Sequence, residues 1–135
     1  MNENRKTMII DEEIEDFEND ATAKRDVIFE KFKLALLNED PTRLLGKFYH
    51  YCNEYVNFEF DESALNMEEA EDILRKINIL RDKLIHSLEE TLSYKFENIK
   101  TDTMQFQISF RTTIEDIKYN VIIEIYPDSF DLEIL

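Results

Sequence analysis

The sequence predicts an α+β protein in which three or four N-terminal helices pack on one face of a C-terminal three-stranded antiparallel β-meander. Apolar residues recur at three- and four-residue spacing over residues 11–96, and they alternate with polar residues from residue 103 onward. Helices first and strands last are typical of α+β rather than α/β proteins. With 135 residues and no internal repeat, a single domain over residues 11–135 is expected.

The first third of the chain predicts a frayed terminus followed by two helices. Residues 1–10 show no clear period and are expected to fray. One apolar stripe then predicts helices over residues 11–19 and 20–38. Two helices are favoured over a single one because Asn19–Asp20 can interrupt the first, with Asp20 as the N-cap of the second.

The next helix has a clear start. Asp40–Pro41 combines an N-cap with a proline at the first helical position, which predicts a helix over residues 41–57. Gly46 lies inside this helix and lowers its propensity by up to about 1 kcal/mol relative to alanine. We expect this glycine to mark close packing against another helix.

A longer helix is predicted over residues 67–96. Asn66 and Glu69 have the spacing of a capping box, and the apolar face behind them continues to Phe96. Such a helix would be about 45 Å long, against a domain diameter of about 28 Å for this chain length. It would therefore project from the domain or contact a partner, unless it breaks near Ser87.

Strict alternation predicts three strands in the remaining residues, over 103–112, 117–126 and 129–135, with a turn at Pro127–Asp128. Short connections between them require antiparallel neighbours. If the last strand lies at the sheet edge, its unpaired backbone could pair with another chain or with a second copy, so a homodimer is one possible assembly.

Composition excludes several function classes. The 43% hydrophobic and 35% charged residues exclude a disordered chain, and no apolar run reaches the roughly 18 residues that span a membrane. A net charge of −15 disfavours direct binding to nucleic acid and to anionic membranes. One cysteine and the lack of a signal peptide favour a cytoplasmic protein. The scarcity of glycine and proline, with abundant Ile and Asn, would fit an AT-rich source such as a low-GC bacterium or its phage.

No motif predicts a catalytic, metal or cofactor site. Gly46 is the only glycine, which excludes a P-loop, a dinucleotide fingerprint and a Gly-x-Ser-x-Gly elbow. The segment starting at Asp16 imitates an EF-hand loop, but Ala21 and Val27 replace its required glycine and glutamate. We expect His50 and His86 to be ordinary surface or structural side chains and Cys52 to be buried.

The remaining feature is the distribution of acidic residues. Two clusters are the candidate partner-binding residues: Asp11, Glu12, Glu13, Glu15, Asp16, Glu18 and Asp20, and then Glu59, Asp61, Glu62, Glu68, Glu69, Glu71 and Asp72. A thinner group follows the last turn: Asp128, Asp131 and Glu133. These acids could serve only solubility or helix N-termini. The alternative is an anionic surface that binds a basic protein.

The functional hypothesis is a non-enzymatic acidic protein that docks on a basic partner. Carboxylates can imitate the phosphates of a duplex, so an inhibitor or immunity-type protein that neutralises a nucleic-acid-handling protein or toxin is expected. One alternative is a chaperone or adaptor that holds a partner segment at a sheet edge or helix groove. A second alternative is a small enzyme with carboxylate chemistry, although no pair of acids stands out for that role.

Overall fold

The computed structural model describes residues 21–60 and 67–135, with the side chains of residues 58–60 excepted. Within these ranges the chain forms α1 (21–36), α2 (Glu39–Phe60), α3 (Met67–Leu92), β1 (Phe96–Asp102), β2 (Gln107–Ile114), β3 (Ile117–Ile125) and β4 (Phe130–Ile134). The strands form one antiparallel sheet in the order β1-β2-β3-β4, and the helices pack against it. The predicted α+β class is confirmed, with a four-stranded sheet in place of the predicted three strands.

The chain passes from α1 to α2 through a tight connection. The backbone N–H of Thr42 donates to the carbonyl of Asn38 at 3.0 Å, and its hydroxyl donates to the carbonyl of Leu36 at 3.1 Å. The side chain of Thr42 thereby satisfies a carbonyl at the end of α1. The predicted frayed terminus 1–10 and helix 11–19 lie outside the described residues.

The prediction that one helix covers residues 67–96 is wrong at its C-terminal end. Helix α3 runs without a break at Ser87, but it ends at Leu92, and Ser93 adopts a left-handed conformation with φ of 59°. The carboxylate of Glu89 accepts a hydrogen bond from the N–H of Phe96 at 3.0 Å, where β1 begins. The chain turns from helix to strand here without the glycine that usually marks such a stop.

Strand β1 was not predicted, because a β-bulge interrupts the alternation of apolar and polar residues along it. The register with β2 shifts between Glu97 and Lys100, and Asn98 takes a positive φ of 54°. Phe96 and Ile99 pack against the core although they are three residues apart, which is the spacing of a helix. The bulge thus made a strand resemble the continuation of α3.

The predicted strand over 103–112 begins four residues too early. Residues 103–106 form the β1–β2 turn, in which the carboxylate of Asp102 accepts a hydrogen bond from the N–H of Gln105 at 3.0 Å. Phe106 ends the turn with φ of 55°, and its ring stacks on Tyr49 with 4.9 Å between centroids. The alternation over these residues therefore belongs to the turn rather than to β2.

The core lies between the helices and one face of the sheet. On the helices it contains buried side chains such as Phe32, Phe48 and Leu88, and on the sheet it contains Ile108 and Ile123. Thr112 is also fully buried there, and its hydroxyl donates to the carbonyl of Lys95 at 3.1 Å. The opposite face of the sheet carries mainly polar side chains, together with Ile122. The sheet ends at β1 on one side and at β4 on the other.

Candidate functional site

A cavity of about 650 Å³ lies between α1, α2 and the segment from the end of β3 to β4. Apolar surface comes from Phe29 of α1, Leu37 in the turn after α1, Leu45 of α2, and Phe130 and Leu132 of β4. Leu37 is 56% exposed although it is a large apolar side chain. The volume is within the range of about 300–1,000 Å³ typical of ligand sites.

Gly46 lines this cavity, which corrects its predicted role. A Cβ atom built on Gly46 would meet nothing within 4 Å. The glycine therefore does not mark the close approach of two helices. Its lack of a side chain leaves the α2 wall of the cavity open.

Three exposed carboxylates lie near the β4 side of the cavity, two of them in its wall and one further along the strand. Asp128 and Asp131 line it, and Glu133 follows on the same outer face of β4 as Asp131. Within the described residues, neither Asp128 nor Glu133 takes part in a salt bridge with Lys, Arg or His. We call Asp128, Asp131 and Glu133 the acidic rim.

Tyr126 holds one carboxylate of the acidic rim in place. Its hydroxyl donates to Oδ2 of Asp131 at 3.1 Å, and this hydrogen bond is the main reason that the pKa of Tyr126 is raised to about 12. Desolvation and the nearby Glu124 raise the pKa of Tyr126 further. The phenol is therefore neutral at physiological pH, and it orients the Asp131 carboxylate.

The α1 wall carries the opposite charge. Lys33 lines the cavity and is exposed, and within the described part of the chain it makes no salt bridge. The cavity thus has a cation on its helical side and carboxylates on its strand side. A ligand that enters it meets an apolar interior with charges of opposite sign on two walls.

Along its outer edge, β4 pairs with no other strand of the described residues. The N–H of Leu135 donates to the carbonyl of Asn120 at 2.9 Å, and the N–H of Asn120 donates back to Leu135 at 3.0 Å. Because hydrogen-bonded positions alternate along an antiparallel strand, the odd-numbered residues of β4 direct their backbone N–H and C=O groups towards β3. Phe130, Leu132 and Ile134 therefore direct their N–H and C=O groups away from the sheet.

Most of the predicted acidic clusters lie outside the described residues. This holds for residues 11–20, for Asp61 and Glu62, and for the side chain of Glu59. Glu68, Glu69, Glu71 and Asp72 lie in the first turns of α3, where the helix dipole favours negative charge. Asp72 contacts Arg75 at 3.2 Å and Lys76 at 3.4 Å, and Glu68 and Glu69 also have partners.

Most of the predicted acidic residues are thus left untested, and the structure offers a candidate site whose residues the prediction did not select. The acidic rim was noted in the sequence but not selected, because its three acids are fewer and more widely spaced than those of the clusters. Lys33 and Leu37 were also missed. The available signal was Leu37 itself, a large apolar residue near the end of the predicted helix 20–38 and close to the start of the next helix at Asp40–Pro41.

The histidines and the cysteine occupy ordinary positions. His50 contacts Glu54 at 3.1 Å and His86 contacts Glu90 at 3.0 Å, each across one turn on an exposed helix face. Cys52 is fully buried as predicted, and burial raises the pKa of its thiol to about 12. Over residues 21–60 and 67–135, no group of three or more His, Cys, Asp or Glu side chains is placed to hold a metal ion.

Comparisons with known proteins do not assign a family. No protein-family model matches the chain, and no solved structure matches it. The chain is similar to RNA-directed RNA polymerase L of Ippy mammarenavirus (isolate Rat/Central African Republic/Dak An B 188 d/1970), at 30% identity over 101 residues. The match covers 64% of this chain and 5% of the polymerase. Among the described helices, none has the length and apolar character needed to cross a membrane.

Proposed function

We propose that the protein is a non-enzymatic binding protein that docks on a basic protein partner. The observation that carries this proposal is the acidic rim beside the apolar cavity. A cavity flanked by exposed carboxylates, two of them without a salt bridge in the described residues, suits a ligand that combines apolar and cationic groups. A basic protein offers both.

The overall charge supports the same class of partner. The net charge is −15, and about half of it is carried by residues outside the described ranges. Such a charge accelerates the encounter with a cationic protein and repels nucleic acid. Proteins that handle nucleic acid present cationic channels. We therefore propose that the protein inhibits or neutralises such a protein by imitating a duplex.

The test is a capture experiment with charge-reversed variants. The immobilised protein is incubated with a lysate, eluted by steps of salt, and the eluate is identified by mass spectrometry. We expect basic proteins to elute at moderate salt, because the Debye length falls from about 10 Å at 0.1 M to about 3 Å at 1 M salt. Recovery of only acidic or neutral proteins would contradict the proposal.

Three variants locate the surface that binds. One replaces Asp128 and Glu133 by lysine, a second replaces Glu68, Glu69 and Glu71 by lysine, and a third reverses the acids of residues 11–20. The first is expected to lose the captured protein while its circular dichroism spectrum is unchanged. If the second or third loses it instead, the sequence-predicted clusters are the binding surface.

A second candidate function is an adaptor that holds a partner segment at a sheet edge. The observation that favours it is that β4 ends the sheet with outward-facing backbone groups. Its binding would persist at about 0.5 M salt, where surface charges are screened beyond about 4–5 Å. Salt dependence thus distinguishes the two functions.

A further inference from the structure

We propose that β4 binds an extended segment of the basic partner as a fifth strand, and that this segment alternates apolar and basic residues. The inference rests on the proposed function and specifies how the partner would be recognised. Three independent features of the edge carry it: the free backbone groups, the cavity on the inner side and the carboxylates on the outer side.

The backbone groups define where the added strand would bind. Phe130, Leu132 and Ile134 direct their N–H and C=O groups outward, at the spacing of an antiparallel or parallel ladder. The opposite edge of the sheet is less suitable, because the bulge at Asn98 disrupts the regular spacing of β1. The edge at β4 has no register shift along its pairing with β3.

The cavity defines the inward-facing residues of the added strand. Phe130 and Leu132 lie on the inner face of β4, and both line the cavity together with α1 and α2. A strand placed beside β4 would direct every second side chain into this space. Those side chains must be apolar, since the walls are mainly apolar and Lys33 would repel a cation.

The acidic rim defines the outward-facing residues. On the outer face, Asp131 lies opposite Glu124 of β3, and Glu133 lies opposite Ile122. This part of the face therefore carries three carboxylates, those of Glu124, Asp131 and Glu133. Directly opposed unlike charges stabilise a strand pair, and like charges destabilise it. Lysine or arginine is therefore expected at alternate positions of the bound segment.

The same argument disfavours a second copy of this chain as the occupant. If two copies of β4 paired in antiparallel orientation about Leu132, Asp131 of each copy would lie opposite Glu133 of the other. Two pairs of carboxylates would then face each other on the outer surface. A basic segment removes this repulsion, which is the reason to prefer a different partner.

The test uses three synthetic peptides with blocked termini and measures their binding by NMR titration of the full-length protein. The first alternates, with the sequence Lys-Val-Lys-Ile-Lys-Val-Lys. The second has the same composition without alternation, Lys-Lys-Val-Ile-Val-Lys-Lys, and the third replaces each lysine of the first by glutamate. We expect the alternating basic peptide to bind about tenfold more tightly than the scrambled one, and the acidic peptide not to bind.

Amide hydrogen exchange reports the geometry of the complex. In the free protein the amides of Asp131 and Glu133 are expected to exchange slowly, while that of Leu132 exchanges fast because it points away from β3. Saturation with the alternating peptide should slow the exchange of Leu132 and Ile134 by about tenfold or more. Unchanged exchange at both amides in the saturated complex would overturn the inference.

Two pairs of variants separate the backbone and the cavity contributions. Leu132→Pro removes an outward N–H that has no backbone partner among the described residues, and Leu132→Ala is its control for the lost side chain. Gly46→Leu fills the cavity from α2, and Gly46→Ala is its control for the lost glycine. Leu132→Pro and Gly46→Leu should each bind the alternating peptide about tenfold more weakly than their controls.

The outcomes distinguish this inference from the proposed function. If the alternating and the scrambled basic peptides bind equally well, with no change at Leu132→Pro, strand addition is wrong and general electrostatic docking remains. If neither basic peptide binds, the inference is likewise overturned. The capture experiment decides the proposed function separately, since it asks only whether a basic protein is retained and then released by salt, whatever the geometry of binding. Dimerisation of the free protein, lost in Leu132→Pro, would assign the edge to a second copy instead.

Discussion

The hydroxyl of Tyr126 donates a hydrogen bond to the carboxylate of Asp131 at 3.1 Å, across the turn that joins β3 to β4. This contact ties the turn to the edge strand and orients one carboxylate beside the cavity. The backbone supports the same turn, because the N–H of Tyr126 donates to the carbonyl of Ser129 at 2.9 Å. The acidic rim is therefore held by an ordered turn.

Tyr126 should titrate above an ordinary tyrosine. Its pKa is raised to about 12, mainly because the neutral hydroxyl donates a hydrogen bond to Asp131 that the phenolate could not donate. Asp131→Asn should lower this pKa towards 10, as measured by the absorbance of tyrosinate, with Tyr126→Phe identifying the signal. Since the folded state favours the protonated phenol, its stabilisation is present below about pH 10 and is lost as the pH rises towards 12. An unchanged titration in Asp131→Asn would contradict this account.

Gly46→Ala should stabilise the protein. The new Cβ would meet nothing within 4 Å, so the change carries no steric cost. Replacing a glycine inside a helix by alanine increases the free energy of unfolding by up to about 1 kcal/mol. Urea denaturation followed by circular dichroism measures the effect. A lower midpoint for Gly46→Ala would contradict the absence of neighbouring atoms within 4 Å of the new Cβ.

The β2–β3 turn offers a second stabilising change. Glu115 and Asp116 both have positive φ, 53° and 67°, between the paired residues Ile114 and Ile117. This is the two-residue hairpin turn that favours Asn-Gly, because a side chain is strained in that conformation. The double variant Glu115→Asn with Asp116→Gly should increase the free energy of unfolding by about 1 kcal/mol.

The double variant also loses one ion pair, whose contribution to the free energy of unfolding is small. Glu115 also contacts Lys24 at 3.9 Å, but both side chains are exposed, and such a pair contributes about 0–1 kcal/mol. Glu115→Gln, which loses the ion pair and keeps a side chain at the positive-φ position, therefore serves as the matched control. If the turn variant is no more stable than Glu115→Gln, relief of backbone strain does not stabilise the protein at this turn.

Cys52 should be unreactive in the folded protein. Burial raises the pKa of its thiol to about 12, so almost no thiolate forms at pH 8. Ellman's reagent should label Cys52 only after denaturation, and Cys52→Ala supplies the blank. Because folding raises the pKa of Cys52 above its ordinary value near 9, the neutral thiol favours the folded state below about pH 9. This contribution to the free energy of unfolding is lost as the pH rises towards 12. Rapid labelling of the native protein would show that α2 opens locally.

The secondary structure was largely predictable, and its main error has a local cause. Ile73, Ile77, Leu80, Leu84 and Leu88 are buried on α3, as their helical spacing indicates. The end of that helix was missed because a serine, and not a glycine, takes the left-handed conformation at residue 93. Strand β1 was missed because its bulge places Phe96 and Ile99 at helical spacing.

The candidate site was much less predictable. Clusters of acidic residues can be read directly from a sequence. Their number does not show which of them form salt bridges in the folded protein. Asp72 proved to contact Arg75 and Lys76, whereas Glu133 of the less prominent group makes no salt bridge in the described residues. A salt bridge depends on where side chains point after folding, and spacing within a cluster does not report it.

By itself, the sequence determined the type of most elements and the α+β class, because the period of apolar residues records which face of each element is buried. Only the tertiary structure decided that Lys33 of α1, Leu37 of the following turn, Gly46 of α2 and Leu132 of β4 line one cavity. These residues are far apart in the chain, and they meet only because the helices pack beside the edge of the sheet. Periodicity records that a face is buried, but it does not record which faces meet or what space remains between them.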